Sequence, residues 1–311
     1  MSGLAPEPRE IDYRIRPAKN VERKMLLEIC SRMGAVEDMS SYRYVGMGSI
    51  YFVDFSLFHR AFGIDSMISL EGREGLMERC EWNRPFDCIE VRPTSVEAAL
   101  AELRSEVPTI MWLDYEDKLD APILSQLTEA CEVLAPRSIL IATINASPDA
   151  LGSRVRNFHR RFGRRDAGIV KTDEDLGKVK LRELNYRYMQ RAVDEAVTTR
   201  AIRDGIAQRQ LAHFTYRDGA DMLTVAWLLY RDDEAGQIED SCGFDNLPFV
   251  RDGDDPFDIA VPKLTYRERL ALDRLLPEGD IDHPPGSISP DDAKAYSLLY
   301  RQMPVYVDAV I

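Results

Sequence analysis

From residue 42 onward, short apolar runs alternate with amphipathic segments. The run "YRYVGMG" leads into "YFVDFSLFHRAFG", whose apolar positions recur at helical spacing. "SMISLE" leads into "GLMERCEWN", "CIEVRP" into "TSVEAALAELRS" and "TIMWLDY" into "APILSQLTEACEVL", before a last run, "SILIATINA". Strands that alternate with helices predict parallel pairing through right-handed crossovers, hence a doubly wound α/β sheet. Thr94 and Glu97 read as a capping box for the third of these helices. Upstream, "NVERKMLLEICSRM" is apolar at 21, 25, 26, 29, 30 and 33, which predicts a helix, and Pro17 suits its first turn.

Beyond residue 146 the alternation lapses. "KVKLRELNYRYMQRAVDEAVTTRAIRDGIAQRQ" predicts one or two helices. "LAHFTYRDG" and "DMLTVAWLLYR" meet at Asp218-Gly219, a turn so short that the two strands must be antiparallel. Residues 231 to 258 are acidic and punctuated by Gly and Pro, which predicts an extended surface loop. Two capped helices close the chain: Thr265 with Glu268 opens "YRERLALDRLL", and Ser289 with Pro290 opens "DDAKAYSLLYRQM", which Pro304 ends. The expected organisation is an arm and helix over 1–41, an α/β domain over 42–230 with a helical insertion near 151–210, and an acidic loop with a helical appendage over 231–311.

A chain of 311 residues with 45% apolar content can bury a substantial core. Its formal charge of −13 argues against a surface that binds nucleic acid or anionic membrane as a whole, and leaves room for a local basic groove. The cysteines at 30, 80, 88, 131 and 242 form no CxxC pair, so no structural metal site is expected and free thiols of a reducing compartment are. "MSGLAPEPRE" has no apolar leader, and the longest apolar run, "MLTVAWLLY", is too short to span a bilayer. The expectation is a cytoplasmic protein with no membrane partner.

The junction Gly46-Met47-Gly48-Ser49, where the first strand gives way to a helix, is where free backbone N–H groups and the helix dipole can meet a ligand. A dinucleotide fingerprint, G-x-G-x-x-G, would need a third glycine where Tyr51 stands, and a ring there spoils close helix–strand packing. The phosphate-loop pattern G-x-x-x-x-G-K-[ST] does not occur. S-adenosylmethionine carries no phosphate, so two glycines suffice, provided that an acid ending the second strand accepts from both ribose hydroxyls. Glu71 stands there; the plainer reading makes it a helix cap or a surface acid.

With these residues in place, the chain resembles the class I, Rossmann-like methyltransferases. It is most similar, through "RPAK-VERKM", "YRYVGMGSIYFVDFSLFHRAFGI", "MISLE", "WNRPF", "WLDYEDKLDAPIL" and "DGADMLTV", to a bacterial family described as O-methyltransferases. The resemblance covers most of residues 12 to 230 and implies a sheet of about seven strands with an antiparallel last hairpin, plus small helical N- and C-terminal additions. It implies that Gly46, Met47, Gly48 and Ser49 line the methionine end of S-adenosylmethionine and that Glu71 holds the ribose. The turn from Pro93 to Ser95 would lie near the adenine, with Thr94 and Ser95 where many relatives carry an aspartate. Asp114 would contact the acceptor or act as its base, and Tyr115 would wall the pocket; alternatively Asp114 caps a helix or pairs with an arginine.

Arg16, Lys19, Glu116 and Asn145 are further substrate-binding candidates, Arg14, Arg16 and Lys19 as a basic group for a carboxylate or phosphate, or as surface ion pairs. Asp114 and Asn145 match part of a magnesium set, but Ile144 replaces the needed aspartate, so no metal is expected. The [DNS]PP[YF] motif of amino-group methyltransferases and a Pro-Cys nucleophile are both missing. His59 is expected on a helix surface and His213 in a structural role. Arginines 154, 156, 160, 161, 164 and 165 suit either a nucleic acid or the acidic 231–258 loop, and Phe158 with Phe162, four apart, favours packing over base stacking. The expected activity is methyl transfer to an oxygen acceptor of unknown identity. The alternatives are a non-catalytic cofactor-binding or interaction protein of the same fold, and a nucleic-acid methyltransferase that uses the Arg154–Arg165 segment. Apolar tail helices leave a homodimer open.

Overall fold

The computed structural model describes residues 16–47, 49–103, 107–163 and 170–304. Helix α1 (Pro17–Ser31) begins with proline, and Val21, Met25, Leu26, Ile29 and Cys30 are buried along one stripe, as their spacing predicts. Then follow β1 (Arg43–Met47), α2 (Val53–Phe62), β2 (Ser66–Leu70), α3 (Met77–Asn83), β3 (Ile89–Arg92), α4 (Val96–Glu102), β4 (Thr109–Asp114), α5 (Ala121–Val133) and β5 (Ser138–Asn145). The second half holds α6 (Arg154–Phe162), α7 (Lys178–Asp204), β6 (Ile206–Asp218), β7 (Ala220–Arg231), α8 (Ala235–Cys242), β8 (Phe257–Ile259), α9 (Tyr266–Asp273) and α10 (Pro290–Leu299).

Among the described residues, eight strands share one sheet, ordered β3-β2-β1-β4-β5-β7-β6-β8. Strands β1 to β5 pair in parallel, and β7 enters antiparallel between β5 and β6. The β6–β7 hairpin turns at Gly219, whose φ of 87° explains the Asp-Gly signal. Alternate side chains serve opposite faces. One face carries Tyr44, Trp112, Ile139, Ile141, Phe214 and Tyr216 under α1 and α2. The other carries Val45, Leu70, Met111, Leu113 and Leu140 under α4, α5 and α7. Because both faces are covered, β4 and β5 read as nearly unbroken apolar runs. The tail packs back onto α1: Lys24 Nζ donates to the carbonyl of Met303 at 2.9 Å and Gln302 Nε2 to Glu28 Oε2 at 2.8 Å.

Three local expectations are corrected. The 231–258 segment is not a surface loop. It buries Ile238, Cys242, Phe244, Leu247, Phe249 and Phe257, and β8 lies parallel to β6 as an eighth strand. Its acids face outward between widely spaced apolar residues, so composition hid the buried side. Ser95, not Thr94, caps α4: its Oγ accepts from the Ala98 N–H at 3.3 Å, while the Thr94 hydroxyl donates to the Ser95 carbonyl at 3.4 Å. The segment after residue 177 forms one helix, α7, which ends at Asp204, so residues 206–210, read as helix, instead open β6. The caps at Thr265 and Ser289 are as expected. Among the described residues, no helix is long and apolar enough to cross a membrane.

Candidate functional site

The strand order reverses between β1 and β4, and in open α/β sheets the crevice at the carboxyl ends of such strands is where ligands bind. Two acids flank it: Glu71 directly follows β2, and Asp114 ends β4. Glu71 is buried, with Oε1 accepting from the Arg73 N–H at 2.9 Å and Oε2 lying 3.8 Å from Cys80 Sγ. A thiol is a weak donor, so Oε2 keeps acceptor capacity for a hydroxyl. Burial and the neighbouring Glu71 carboxylate push the Cys80 thiol up to about 11. Thr94 and Ser95 follow β3 near the same edge of the sheet.

The glycine junction divides into two roles. Gly46 lies inside β1, where a Cβ would stand 3.1 Å from the Tyr44 ring and 3.2 Å from the Phe55 ring. Those rings meet edge to face at 4.9 Å, with Phe58 stacked on Tyr44 at 4.8 Å. The space beside the Gly46 Cα is therefore taken by aromatic packing beneath α2, a reason for glycine here that needs no ligand. Gly46→Ala is expected to overpack this cluster and cost about 1–3 kcal/mol, read as a lower midpoint in denaturant unfolding. Met47 packs on the opposite face, against the α4–α5–α7 side. Ser49 Oγ accepts from the Tyr51 N–H at 3.3 Å. Gly48 lies outside the described residues. The turn ends on Phe52, fully buried at φ 47°, a left-handed conformation that costs a non-glycine residue strain, and α2 starts without a side-chain cap.

At the β4 end the sequence reading missed the central arrangement. Lys19 is not a surface cation: it is 3% exposed, and its Nζ lies 2.9 Å from both Asp114 Oδ1 and Glu22 Oε2. The ammonium also sits 4.6 Å from the Trp112 ring centroid and 5.9 Å from that of Tyr216. Glu22, fully buried, accepts from Tyr216 Oη at 3.1 Å and from Thr224 Oγ1. Thr224 and Thr143 share a hydrogen bond of 2.8 Å, and Trp112 Nε1 donates to Thr143 Oγ1 at 3.1 Å. The start of α1 is held across the hairpin by Asp218, which accepts from the N–H groups of Lys19 at 2.7 Å and Ala18 at 3.4 Å. Further along α1, Arg23 pairs with Asp54 at 3.5 Å, and Asp54 also accepts from Tyr44 Oη at 3.1 Å. Burial raises the Glu22 carboxyl, against the pull of Lys19. The signal for Glu22 was present in the sequence: it falls within the apolar stripe of α1, four residues before Leu26.

Asp114 is 27% exposed and is the member of the Glu22–Lys19–Asp114 group that reaches the surface. Tyr115, next in sequence, points to the other face. It is buried with Oη on Gln126 Oε1, and burial raises its hydroxyl, so it walls no acceptor pocket beside Asp114. Glu116 is exposed on the following loop. Asn145 shapes the turn after β5, its Oδ1 accepting from the Ser147 N–H at 2.9 Å and its own N–H donating to the Asp117 carbonyl at 3.0 Å. Arg16 is half-buried just before α1, where its charge acts on Asp218; Arg14 lies outside the described residues. Among the described residues, no group of three or more His, Cys, Asp or Glu is arranged to hold a metal.

The arginine segment finds partners other than the acidic loop. Arg161 and Lys118 pair with Asp149 at 3.0 and 2.9 Å, and Arg154 donates to the carbonyls of Asp149 and Asp173. Arg156 and Arg160 are exposed; Arg164 and Arg165 lie outside the described residues. Phe158 and Phe162 sit 4.8 Å apart and pack with Tyr188, as their spacing predicts. His59 Nδ1 lies 2.8 Å from the Ile64 carbonyl. His213 stacks on Tyr186 at 4.0 Å, and burial lowers its pKa.

Residues 11–311 match the model of a family described as "Putative O-methyltransferase". Solved structures similar to this chain include the O-methyltransferase TomG from Streptomyces achromogenes in complex with SAM, at 14% identity over 67% of this chain and 80% of that one, with a TM-score of 0.40. An O-methyltransferase from Bacillus cereus in complex with SAH is 14% identical over 69% of this chain and 82% of that one, with a TM-score of 0.37. Trm1 from Pyrococcus horikoshii in complex with S-adenosyl-L-methionine is 13% identical over 76% of this chain and 61% of that one, with a TM-score of 0.45. A search of curated proteins gave no match.

Proposed function

The chain belongs to the O-methyltransferase family whose model it matches, and from that premise we propose that it transfers a methyl group from S-adenosylmethionine to an oxygen acceptor. The observation that carries the reading is the pair of acids, Glu71 and Asp114, at the carboxyl ends of the strands flanking β1, at the point where the sheet order reverses. Glu71 would accept from the ribose hydroxyls, a role that its buried carboxylate suits, since Oε2 faces a weak thiol donor. Met47 and Ser49 would border the methionine end, and Thr94 and Ser95 the adenine. Gly46 would serve them indirectly, by letting the aromatic cluster close beneath the loop. When bound, S-adenosylmethionine supplies a methyl group on a positively charged sulfur. The protein's own part is to hold the acceptor in line and to manage its proton, for which Asp114 is placed.

Calorimetric titration of the full chain with S-adenosylhomocysteine and, separately, with NAD tests this. Saturable one-to-one binding of the sulfur ligand and none of NAD is expected. Binding of NAD alone, or of neither, would overturn the proposal.

A further inference from the structure

The charge order around Asp114 bears on the acceptor. Three ionisable groups meet there in a graded sequence: Glu22 fully buried, Lys19 at 3% exposure and Asp114 at 27%. The cation lies behind the outer carboxylate, not in front of it. Two of the three ammonium protons point at carboxylates, Asp114 and Glu22, each at 2.9 Å. Tyr216 and Thr224 close the Glu22 side, Asp218 holds the backbone of Lys19, and Arg23 is engaged with Asp54. Of these three groups, the outermost is therefore a carboxylate, and a molecule approaching them from solvent meets it before the cation.

Oxygen acceptors fall into two classes with opposite needs. A carboxylate acceptor is already an anion: it needs a cation to hold it and no base. A hydroxyl acceptor needs its proton removed, and a carboxylate can serve only where that proton is fairly acidic. Lys19, read from the sequence alone, suits the first class. Its burial behind Asp114 removes it from that duty and makes it the group that fixes the Asp114 carboxylate.

Resting on the methyl-transfer reading above, we propose that α1 is part of the acceptor site: Lys19 and Glu22 are positioning residues that hold Asp114 as the base for an acidic hydroxyl of the phenol or enol type, and the site excludes carboxylate acceptors. In the step this implies, the acceptor O–H bond breaks and its proton passes to Asp114. The oxygen pair forms the new O–CH3 bond, and the methyl–sulfur pair stays on sulfur, leaving a neutral thioether. Asp114, being partly exposed, then returns its proton to water.

The test uses the full chain saturated with S-adenosylhomocysteine, with phenol and benzoate as probes of one ring size, their binding followed by ligand-observed NMR at neutral pH. Phenol is expected to bind at least about tenfold more tightly than benzoate, because like charges brought together are strongly disfavoured. Asp114→Asn is expected to lift the exclusion and cut that ratio to about threefold or less. Lys19→Met/Glu22→Gln removes one positive and one negative charge, so the formal charge of the group stays at one negative. With Asp114 no longer held, it too is expected to lower the ratio, whereas Lys19→Arg, which keeps the cation, restores it. Equal binding of the two probes by the unmodified protein, a ratio indifferent to Asp114→Asn or to the double variant, or failure of both probes while S-adenosylhomocysteine binds would each overturn the proposal. Failure of S-adenosylhomocysteine itself to bind would instead remove the reading on which it rests.

Discussion

Lys19→Met is expected to destabilise the fold by about 3–5 kcal/mol, and adding Glu22→Gln is expected to recover at least half of that loss. The single substitution leaves Asp114 and Glu22 facing each other across the space that the ammonium filled, with Glu22 fully buried. A buried charge whose partner is removed costs far more than the pair contributed, because desolvation is no longer offset. Glutamine at 22 can still accept from Tyr216 and Thr224, and methionine fills much of the lysine stem's volume beside Trp112. Guanidinium unfolding of wild type, both single variants and the double gives the coupling directly. A loss under about 1 kcal/mol would mean that the pairing is hydrated and worth no more than a surface ion pair.

The pH dependence separates Glu22 from its partners. Burial raises its carboxyl above the ordinary value of 4.5, so the folded state holds this proton more tightly than the unfolded chain does. Its contribution is fully present below about 4.5 and is lost as the pH rises through the folded value. Glu22→Gln should therefore gain on the wild type as the pH rises above that point.

What could be read from the sequence was local. The stripe on α1, the strand–helix alternation through β5 and the Asp218-Gly219 hairpin each rest on a period or a turn within a few residues, and each is present. What could not be read depends on distant partners. Lys19 meets Asp114 ninety-five positions away, and Glu22 meets Thr224 about two hundred away, so a helix seen alone shows only charged residues beside an apolar stripe. Gly46 is required by Phe55, and a glycine that yields to a ring reads the same as one that yields to a ligand. Asp114 and Tyr115 were grouped because they are adjacent, although adjacent strand residues face opposite sides. Alternation alone separates them, but which side faces the site becomes evident only once α1 is in place. Strand β8, three residues long among exposed acids, carries too little local signal to be told from loop.

Glu71→Ala is expected to weaken S-adenosylhomocysteine binding by about 30- to 1000-fold, the equivalent of about 2–4 kcal/mol for the loss of a charged acceptor that serves two hydroxyls. Glu71→Gln, which keeps one acceptor oxygen and loses the charge, should fall between. The fold should tolerate both, since the Arg73 N–H that Glu71 holds belongs to an exposed residue and can turn to water. Calorimetry on the folded variants, with the aromatic circular dichroism band as the folding control, reads the effect. An affinity within about threefold of wild type would assign Glu71 to its local turn alone, because a ribose acceptor cannot be removed that cheaply. Cys80→Ala sharpens the distinction. Its thiol lies 3.8 Å from Oε2 and competes only weakly for that oxygen, so its removal should leave ligand affinity nearly unchanged if a ribose hydroxyl is the intended donor. If the thiol is instead the partner that Glu71 is there to serve, Cys80→Ala and Glu71→Ala should cost stability together and affinity not at all.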